Sequence, residues 1–236
     1  MSQLMVSVRS VEEMREALAG GADLIDIKEP NLGSLGAASS SVWEAIAQEL
    51  NDHSTLLSIA LGELTELDAV QECCPIPARV NYAKVALAGC QTMDDWQAQL
   101  QNVFRKFPNN TGQVAVHYAD HHKAASPAFD QILQFATEQN CKALLIDTFD
   151  KQTGSLFEIV TKTQVQQWVN SAKIAGLKCV LAGSLGKSNV QDALSMQADV
   201  IAVRGAVCRG SRTEEIDRRL VQEFASLVHS QEPSLF

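Results

Sequence analysis

Eight short apolar runs alternate with longer stretches in which apolar residues recur every three or four positions. The short runs lie at residues 4–8, 24–28, 55–61, 82–87, 113–118, 143–148, 178–183 and 200–204. They have the length of strands and are nearly continuous in apolar residues, which is typical of parallel strands covered on both faces. The pattern therefore predicts eight buried strands.

The stretches between these runs have the spacing of amphipathic helices. Trp96, Leu100 and Phe104, for example, follow one another at intervals of four residues. Strands that alternate with helices predict a parallel sheet with helices outside it, and eight such units in one chain fit a (β/α)8 TIM barrel. We expect one TIM-barrel domain over residues 1–236, and an open, doubly wound sheet is the alternative architecture.

Composition and charge narrow the class of protein. Of the 236 residues, 46% are hydrophobic and 20% are charged, as in ordinary globular domains. The net charge of −9 argues against nucleic-acid binding, which needs a basic face. No apolar run approaches the roughly 20 residues that cross a bilayer, and the first residues do not have the pattern of a secretory signal. The expected protein is cytoplasmic, without a membrane or nucleic-acid partner.

The six cysteines give no sign of a metal or redox motif. Cys73 and Cys74 are adjacent, and no pair has the C-x-x-C spacing of zinc and disulfide-exchange sites. Cys141 and Cys179 lie beside or within apolar runs, where a free thiol packs as a small hydrophobic group. We expect reduced, buried thiols.

Charged residues fall at the ends of several predicted strands. Asp26 and Lys28 share one face of their strand because side chains alternate. Lys84 lies inside an apolar run, and Asp147 and Lys151 follow another. Catalytic groups of (β/α)8 barrels project from the carboxyl ends of the strands, and clustered cations favour a reactive amine. These five residues are the predicted catalytic set, and they suggest amine chemistry on a carbonyl substrate.

Two similar glycine-rich turns, at residues 33–37 and 183–187, follow predicted strands, and Arg204 with Gly205 ends the last strand. Glycine lets the backbone approach an anion, and the next helix attracts negative charge. Paired turns of this kind would suit a reaction between two phosphorylated molecules. The predicted phosphate-binding residues are Ser34 and Gly36 for one molecule, and Gly183, Ser184, Arg204 and Gly205 for the other.

Other polar clusters carry weaker signals. His121 and His122 are adjacent, and no set of His, Cys and carboxylates has the spacing of metal ligands. We therefore expect neither a metal nor a cofactor, and activity should survive chelation. Tyr118 and Asp120 could contact substrate. The charged residues between 212 and 219 are expected on the solvated outer face of the last helix.

Two stretches resemble a known family. Residues 20–30, which include Asp26-Ile27-Lys28-Glu29-Pro30, and the following Gly33-Ser34-Leu35-Gly36-Ala37 are similar to a signature of the (5-formylfuran-3-yl)methyl phosphate synthases. Asp147-Thr148 with Lys151 three positions beyond Thr148 is also similar. The resemblance extends from the first predicted strand to the last predicted helix.

The resemblance implies a function and roles for individual residues. The family, which is also called 4-(hydroxymethyl)-2-furancarboxaldehyde-phosphate synthase, makes the furan precursor of methanofuran and related cofactors. It joins two glyceraldehyde 3-phosphate molecules and releases phosphate and water. The family's Schiff-base lysine falls on Lys28 and its proton-transferring lysine on Lys84, with supporting positions on Asp26, Asp147 and Lys151. A homo-oligomer is also implied.

Two alternatives stay open at this point. A class I aldolase acting on triose phosphates would use the same imine without releasing phosphate. A non-catalytic sugar-phosphate-binding protein would need the phosphate turns but no reactive amine, since a fold does not fix a function.

Overall fold

The computed structural model describes residues 2–67 and 75–230. Its strands form one closed parallel barrel, in which neighbours in sequence pair with each other and the last strand pairs with the first. The closed barrel confirms the predicted TIM-barrel fold and excludes the open sheet. The strands are β1 (Gln3–Val8), β2 (Leu24–Ile27), β3 (Leu56–Glu63), β4 (Tyr82–Ala86), β5 (Gly112–Tyr118), β6 (Ala143–Asp147), β7 (Lys178–Leu181) and β8 (Val200–Val203).

Helices pack on the outside of the barrel. In the described residues they are α1 (Val11–Ala19), α2 (Ser40–Glu49), α3 (Trp96–Phe104), α4 (His121–Ala124), α5 (Phe129–Glu138), α6 (Leu156–Ile159), α7 (Lys162–Ile174), α8 (Val190–Ser195) and α9 (Arg218–His229). The last of them, α9, packs against α1 and β1 and so covers the junction of β8 with β1. No helix in residues 2–67 and 75–230 is long and apolar enough to span a membrane.

Polar residues fix the beginnings of several helices. The Ser10 hydroxyl accepts from the backbone N of Glu13 at 3.2 Å at the start of α1. The Thr161 hydroxyl caps α7 in the same way, and Asp217 accepts from the first turn of α9. Such caps satisfy backbone donors that the helix itself leaves unpaired. They define where each loop at the carboxyl end of the barrel stops.

Side-chain alternation divides the core in two. In β2, Ile25 and Ile27 belong to the large apolar layer between the barrel and its helices. Leu24 belongs to a smaller apolar cluster inside the barrel, while Asp26 and Lys28 line a cavity at its mouth. The prediction that Asp26 and Lys28 share the inner face is therefore confirmed.

The described cysteines are free and buried: Cys90, Cys141, Cys179 and Cys208. Burial is the main cause that raises the pKa of the Cys141 and Cys179 thiols to about 12, so both act as small hydrophobic groups. This confirms the expectation for Cys141 and Cys179. Cys73 and Cys74 lie outside the described residues.

The expectation that the charged residues from 212 to 217 belong to the last helix was wrong. α9 begins only at Arg218, and residues 212–217 belong to a loop. Cys208 pairs with Ile216 in an antiparallel bridge, which closes this loop as a hairpin. The pairing joins residues that no local periodicity relates, so the charge pattern alone could not indicate it.

Candidate active site

A buried ion pair lies inside the barrel below the carboxyl ends of the strands. The ammonium group of Lys84 on β4 donates to Asp26 on β2 and, at 3.0 Å, to the hydroxyl of Ser58 on β3. The hydroxyl of Ser7 on β1 donates to the other oxygen of Asp26 at 3.1 Å. Lys84 is only 2% exposed, and these partners compensate for the loss of hydration of its ammonium group. The four consecutive strands β1 to β4 together hold this cation and this anion in place.

A second ion pair lies at the end of β6. Lys151 Nζ is 2.5 Å from Asp147 Oδ1 and 3.2 Å from the Thr148 hydroxyl. Burial raises the pKa of Asp147, but the charges of Lys151 and Lys28 and the hydrogen bonds outweigh burial and lower it overall. Burial lowers the pKa of Lys151, and Asp147 offsets only part of that effect. The pair therefore places a stable carboxylate beside an amine at the mouth.

Lys28 has a different environment, directly after β2. Lys84 and Lys151 each have a carboxylate partner, whereas in the described part of the chain Lys28 Nζ has no hydrogen bond or ion pair. Burial is the largest cause that lowers the pKa of Lys28 to about 8 from an ordinary 10.5. Asp147 and Asp26 oppose this shift, while Lys151 and Arg212 add to it. A buried amine with this pKa can act as a nucleophile near neutral pH.

These groups open into one cavity of about 330 Å3 at the carboxyl end of the barrel. This volume is in the range of small-molecule sites. The cavity brings together nine of the predicted site residues. They are Asp26, Lys28, Lys84, Asp147, Lys151, Gly183, Ser184, Arg204 and Gly205.

Ser34 and Gly36, the other two predicted residues, do not line this cavity. The Ser34 hydroxyl donates to Thr148 O at 2.9 Å and lies 3.3 Å from Asp147 Oδ2, so it sits behind the carboxylate. A Cβ on Gly36 would lie 2.5 Å from Glu29 O, which means that the loop after β2 closes tightly on this glycine. In this structure both residues shape the loop that follows Lys28.

Arg204 lines the cavity, but its guanidinium group is fully engaged by the protein. It forms a two-pronged ion pair with Glu13 of α1, at 2.8 and 3.2 Å. The remaining N–H groups donate to Ser7 O, Arg212 O and Glu214 O. All five donors of an arginine are thus used, and none is left for a phosphate. The geometry assigns Arg204 to holding α1, β1 and the loop after β8 together.

The turn after β7 has a conformation suited to anions. Gly183 and Ser184 both have left-handed backbones, with φ of 97° and 51°. In the described residues, the backbone N–H groups of Ser184 and Leu185 donate to no protein acceptor. Both residues line the cavity, so these N–H groups are available to a ligand there.

Sequence reasoning missed Arg212, which also lines the cavity. Its guanidinium donates to the carbonyls of Pro30 at 3.2 Å and Gly33 at 3.0 Å, both in the loop after β2. Burial is the main cause that lowers its pKa, as expected of a cation partly withdrawn from water. Its position in the loop after the last strand, where barrel sites are built, was the available signal.

A further buried pair supports the neighbouring loops. The Tyr118 hydroxyl donates to Glu63 Oε1 at 2.6 Å, and Ala88 N donates to Glu63 Oε2 at 2.7 Å. Asp120 accepts from the backbone N of Phe149 and of Asp150. Tyr118 and Asp120 therefore have structural contacts around the β6 loop rather than positions in the cavity lining.

The fold and the site together define a class of protein. It is a TIM barrel whose cavity at the carboxyl end holds two lysine–carboxylate pairs and a buried lysine that has no ion-pair partner among residues 2–67 and 75–230. No group of three or more His, Cys, Asp or Glu side chains in residues 2–67 and 75–230 could hold a metal ion.

Comparison with known proteins identifies the family within this class. The sequence model of the 4-HFC-P synthase family matches residues 4–225, and the chain belongs to this family. The (5-formylfuran-3-yl)methyl phosphate synthase of Methanocaldococcus jannaschii is 33% identical over 232 residues, which are 95% of this chain and 98% of that protein. The protein of the same name from Methanothermobacter thermautotrophicus is 31% identical, over 96% of this chain and 99% of its own.

Solved structures agree on the fold. Thiamine phosphate pyrophosphorylase from Pyrococcus furiosus aligns with a TM-score of 0.63 at 16% identity, over 97% of this chain and 96% of that one. Phosphoribosyl anthranilate isomerase from Thermus thermophilus aligns with a TM-score of 0.61 at 13% identity, over 98% and 100%. At such identities the likeness concerns the barrel alone.

Proposed function

We propose that this chain is a (5-formylfuran-3-yl)methyl phosphate synthase that acts through an imine at Lys28. Two glyceraldehyde 3-phosphate molecules would combine to the furan phosphate, with loss of one phosphate and two water molecules. The observation that carries the proposal is the buried amine of Lys28, which has no hydrogen-bond partner in the described chain and a pKa of about 8. Family membership over nearly the whole chain supports the same substrate class.

The chemistry begins with attack of the neutral Lys28 amine on the substrate aldehyde. The carbinolamine loses water to give an imine, which acidifies the neighbouring carbon. Lys84 and Asp26 are the proposed proton-transfer pair, because they form an ion pair inside the barrel and line the same cavity. Removal of the carbon-bound proton lets the electron pair expel phosphate from the next carbon.

The remaining steps join the two molecules. The second glyceraldehyde 3-phosphate would first isomerise by proton transfer to its ketone form. The three-carbon unit left at Lys28 would then add through its terminal carbon to that ketone carbon, and the new carbon–carbon bond gives the branched skeleton of the product. Ring closure and the loss of two further water molecules then give the furan, and one water molecule is consumed when the product is released from Lys28. Asp147 and Lys151 are proposed to move protons in these later steps, since they form a carboxylate–amine pair at the same mouth.

Phosphate binding is proposed for the turns after β7 and β8. Gly183, Ser184 and Gly205 line the cavity beside Lys28, and the Ser184 N–H has no protein acceptor in the described residues. The backbone approaches a ligand closely where glycine takes a left-handed conformation. For Ser34 and Gly36, and for Arg204, the contacts described above favour support of these loops over direct phosphate contact.

Trapping of the imine tests the proposal. The protein is incubated with glyceraldehyde 3-phosphate and borohydride, and the intact mass and the modified peptide are measured. The expected adduct lies on Lys28 and is absent from Lys28→Ala. Lys178→Ala is the matched control, because Lys178 is exposed at the opposite end of the barrel and should leave trapping unchanged. Lys84→Ala should still trap substrate at Lys28 but form little furan.

The same experiment separates the alternatives. Release of free phosphate with a furan product from glyceraldehyde 3-phosphate alone supports the synthase. An adduct without phosphate release would point to an aldolase, and absence of any adduct would point to a binding protein. An adduct on Lys84 or Lys151 would overturn the assignment of Lys28 while leaving the imine chemistry in place.

A further inference from the structure

Residues 208–217 form a hairpin at the carboxyl end of the barrel, after β8. Cys208 and Ile216 form an antiparallel bridge, and Arg209 N donates to Glu215 O at 3.0 Å. The backbone N of Asp217 donates to Val207 O at 2.9 Å, so the hairpin returns to its own base before α9 begins. The segment thus has a defined shape that can hold a side chain at the cavity.

Arg204 anchors this hairpin to the barrel. Its guanidinium donates to Arg212 O at 2.6 Å and to Glu214 O at 3.2 Å, while Glu13 balances its charge. Arg204 is 5% exposed, so this anchor is withdrawn from solvent. A buried contact therefore fixes the backbone of Arg212 independently of the contacts of its side chain.

The Arg212 side chain extends from the hairpin to the loop after β2. Two of its N–H groups donate to Pro30 O and Gly33 O, and in the described chain no other acceptor takes the remaining three. The side chain lines the cavity, and the position of a Cβ on Gly205 would be 3.5 Å from Arg212 Cβ. Free guanidinium donors therefore lie beside the turn after β8.

The charges at this mouth are unbalanced. Lys28, Lys151 and Arg212 line the cavity with Asp147, while the charge of Lys84 is matched by Asp26 deeper in the barrel. Arg212 is near enough to both mouth lysines to influence their titration. A local surplus of positive charge in a chain with a net charge of −9 marks a site for a small anion.

We propose that Arg212 binds the phosphate group of the triose phosphate that reacts at Lys28, together with the free N–H groups of the turn after β7. This inference rests on the proposed function and adds a residue that the sequence pattern assigned to solvent. Guanidinium suits the role because its N–H groups bind two phosphate oxygens at once, which an ammonium group does not do. The carbonyls of Pro30 and Gly33 would orient the group without neutralising it.

The test compares Arg212→Ala with Arg209→Ala. Arg209 lies in the same hairpin, is mostly exposed and pairs with Glu215 and Asp217, so its loss reports on loosening of the hairpin alone. Borohydride trapping is measured against glyceraldehyde 3-phosphate concentration near pH 9, above the Lys28 pKa of about 8, so that the rise in this pKa on loss of Arg212 changes the neutral fraction as little as possible. We expect Arg212→Ala to raise the half-saturating concentration roughly 10- to 100-fold, which corresponds to the loss of a charged hydrogen bond. Arg209→Ala should leave the half-saturating concentration unchanged.

Unphosphorylated glyceraldehyde distinguishes this inference from the proposed function. It should form an adduct with Lys28 equally well in the wild type and in Arg212→Ala, which also demonstrates a folded site in the variant. Arg212→Lys should recover only part of the affinity for glyceraldehyde 3-phosphate. Unchanged saturation by glyceraldehyde 3-phosphate in Arg212→Ala, or an equal loss with glyceraldehyde, would overturn the role of Arg212. Failure of the wild type to form any adduct would instead overturn the imine at Lys28.

Discussion

At the scale of residues, three lysines in one cavity have different environments because they have different partners. Lys84 is paired with Asp26, and Lys151 with Asp147. Lys28 lies under the influence of both carboxylates, yet it makes no ion pair in the described chain. An ammonium group that is buried without a partner loses its hydration without compensation. Its pKa therefore falls, and the neutral amine forms at a lower pH. The proposed division of labour between nucleophile and proton carriers rests on this difference.

The first prediction concerns pH. Because the pKa of Lys28 is about 8, we expect the initial rate of adduct formation to rise up to about pH 8 and to level off above about pH 9. A free lysine analogue, whose amine titrates near 10.5, should still gain rate over that range. Intact-mass kinetics with a reductant in excess measure both. A protein profile that keeps rising like the analogue would contradict a lowered pKa.

The second prediction is that the reactive amine destabilises the fold. Folding at pH 7 must bury the Lys28 charge, and the drop from 10.5 to about 8 corresponds to a cost on the order of 3 kcal/mol. Since the folded-state pKa is the lower one, this cost is full below about pH 8 and is relieved as pH rises towards 10.5. Lys28→Met should therefore abolish trapping and raise the free energy of unfolding in urea at pH 7, with a smaller gain near pH 10. Exposed Lys178→Met is the control, and a destabilised Lys28→Met would refute the argument.

At the scale of elements, the sequence predicted the strands and the inner face of β2 but not the loops. Strand positions follow from local apolar runs, so the predicted and observed strands agree to within about two residues at most ends. Loop contacts are non-local: Glu13 and Arg204 are 191 positions apart in sequence. The role of Arg212 depends on the pairing of Cys208 with Ile216 and on carbonyls of the β2 loop, neither of which has a periodic signal.

The two similar glycine-rich turns illustrate this limit. Residues 33–36 and 183–186 have the same sequence, Gly-Ser-Leu-Gly. Ser184 has a left-handed backbone and lines the cavity, whereas Ser34 has no positive φ and lies behind Asp147. One sequence motif therefore serves two structures, because the surrounding loops differ.

The third prediction separates the two turns. Gly36→Ala should lower the free energy of unfolding by about 1–3 kcal/mol, because the new Cβ would be 2.5 Å from Glu29 O and 2.7 Å from Leu32 O. Gly186→Ala is the matched control, since nothing lies within 4 Å of its Cβ position and its φ is not positive. Urea denaturation of both variants measures the difference. Equal stability of the two would mean that the loop after β2 tolerates a side chain at Gly36.

At the scale of the whole molecule, the ion pair between Arg204 and Glu13 joins distant parts of the chain around the seam of the barrel. Glu13 lies in α1, Arg204 follows β8, and Arg204 also donates to Ser7 O in β1. The same arginine also donates a hydrogen bond to the backbone of the hairpin that contains Arg212. Closure of the barrel and placement of Arg212, the residue proposed to bind phosphate, thus depend on one buried contact. The sequence analysis had interpreted Arg204 itself as a substrate contact.

The last prediction follows from that burial. Glu13→Gln removes the negative charge but keeps the shape of the side chain, and it leaves the Arg204 cation buried with weaker partners. Loss of one member of a buried pair costs about 3 kcal/mol, so the free energy of unfolding should fall by about that amount, and the affinity for glyceraldehyde 3-phosphate should fall as the hairpin loosens. Glu16→Gln is the control in the same helix, because Glu16 pairs with Arg218 on the surface and should change stability by less than about 1 kcal/mol. If denaturation in urea gave the two variants equal stability, the seam would be held by the apolar packing of α9 against α1 and β1 rather than by this ion pair.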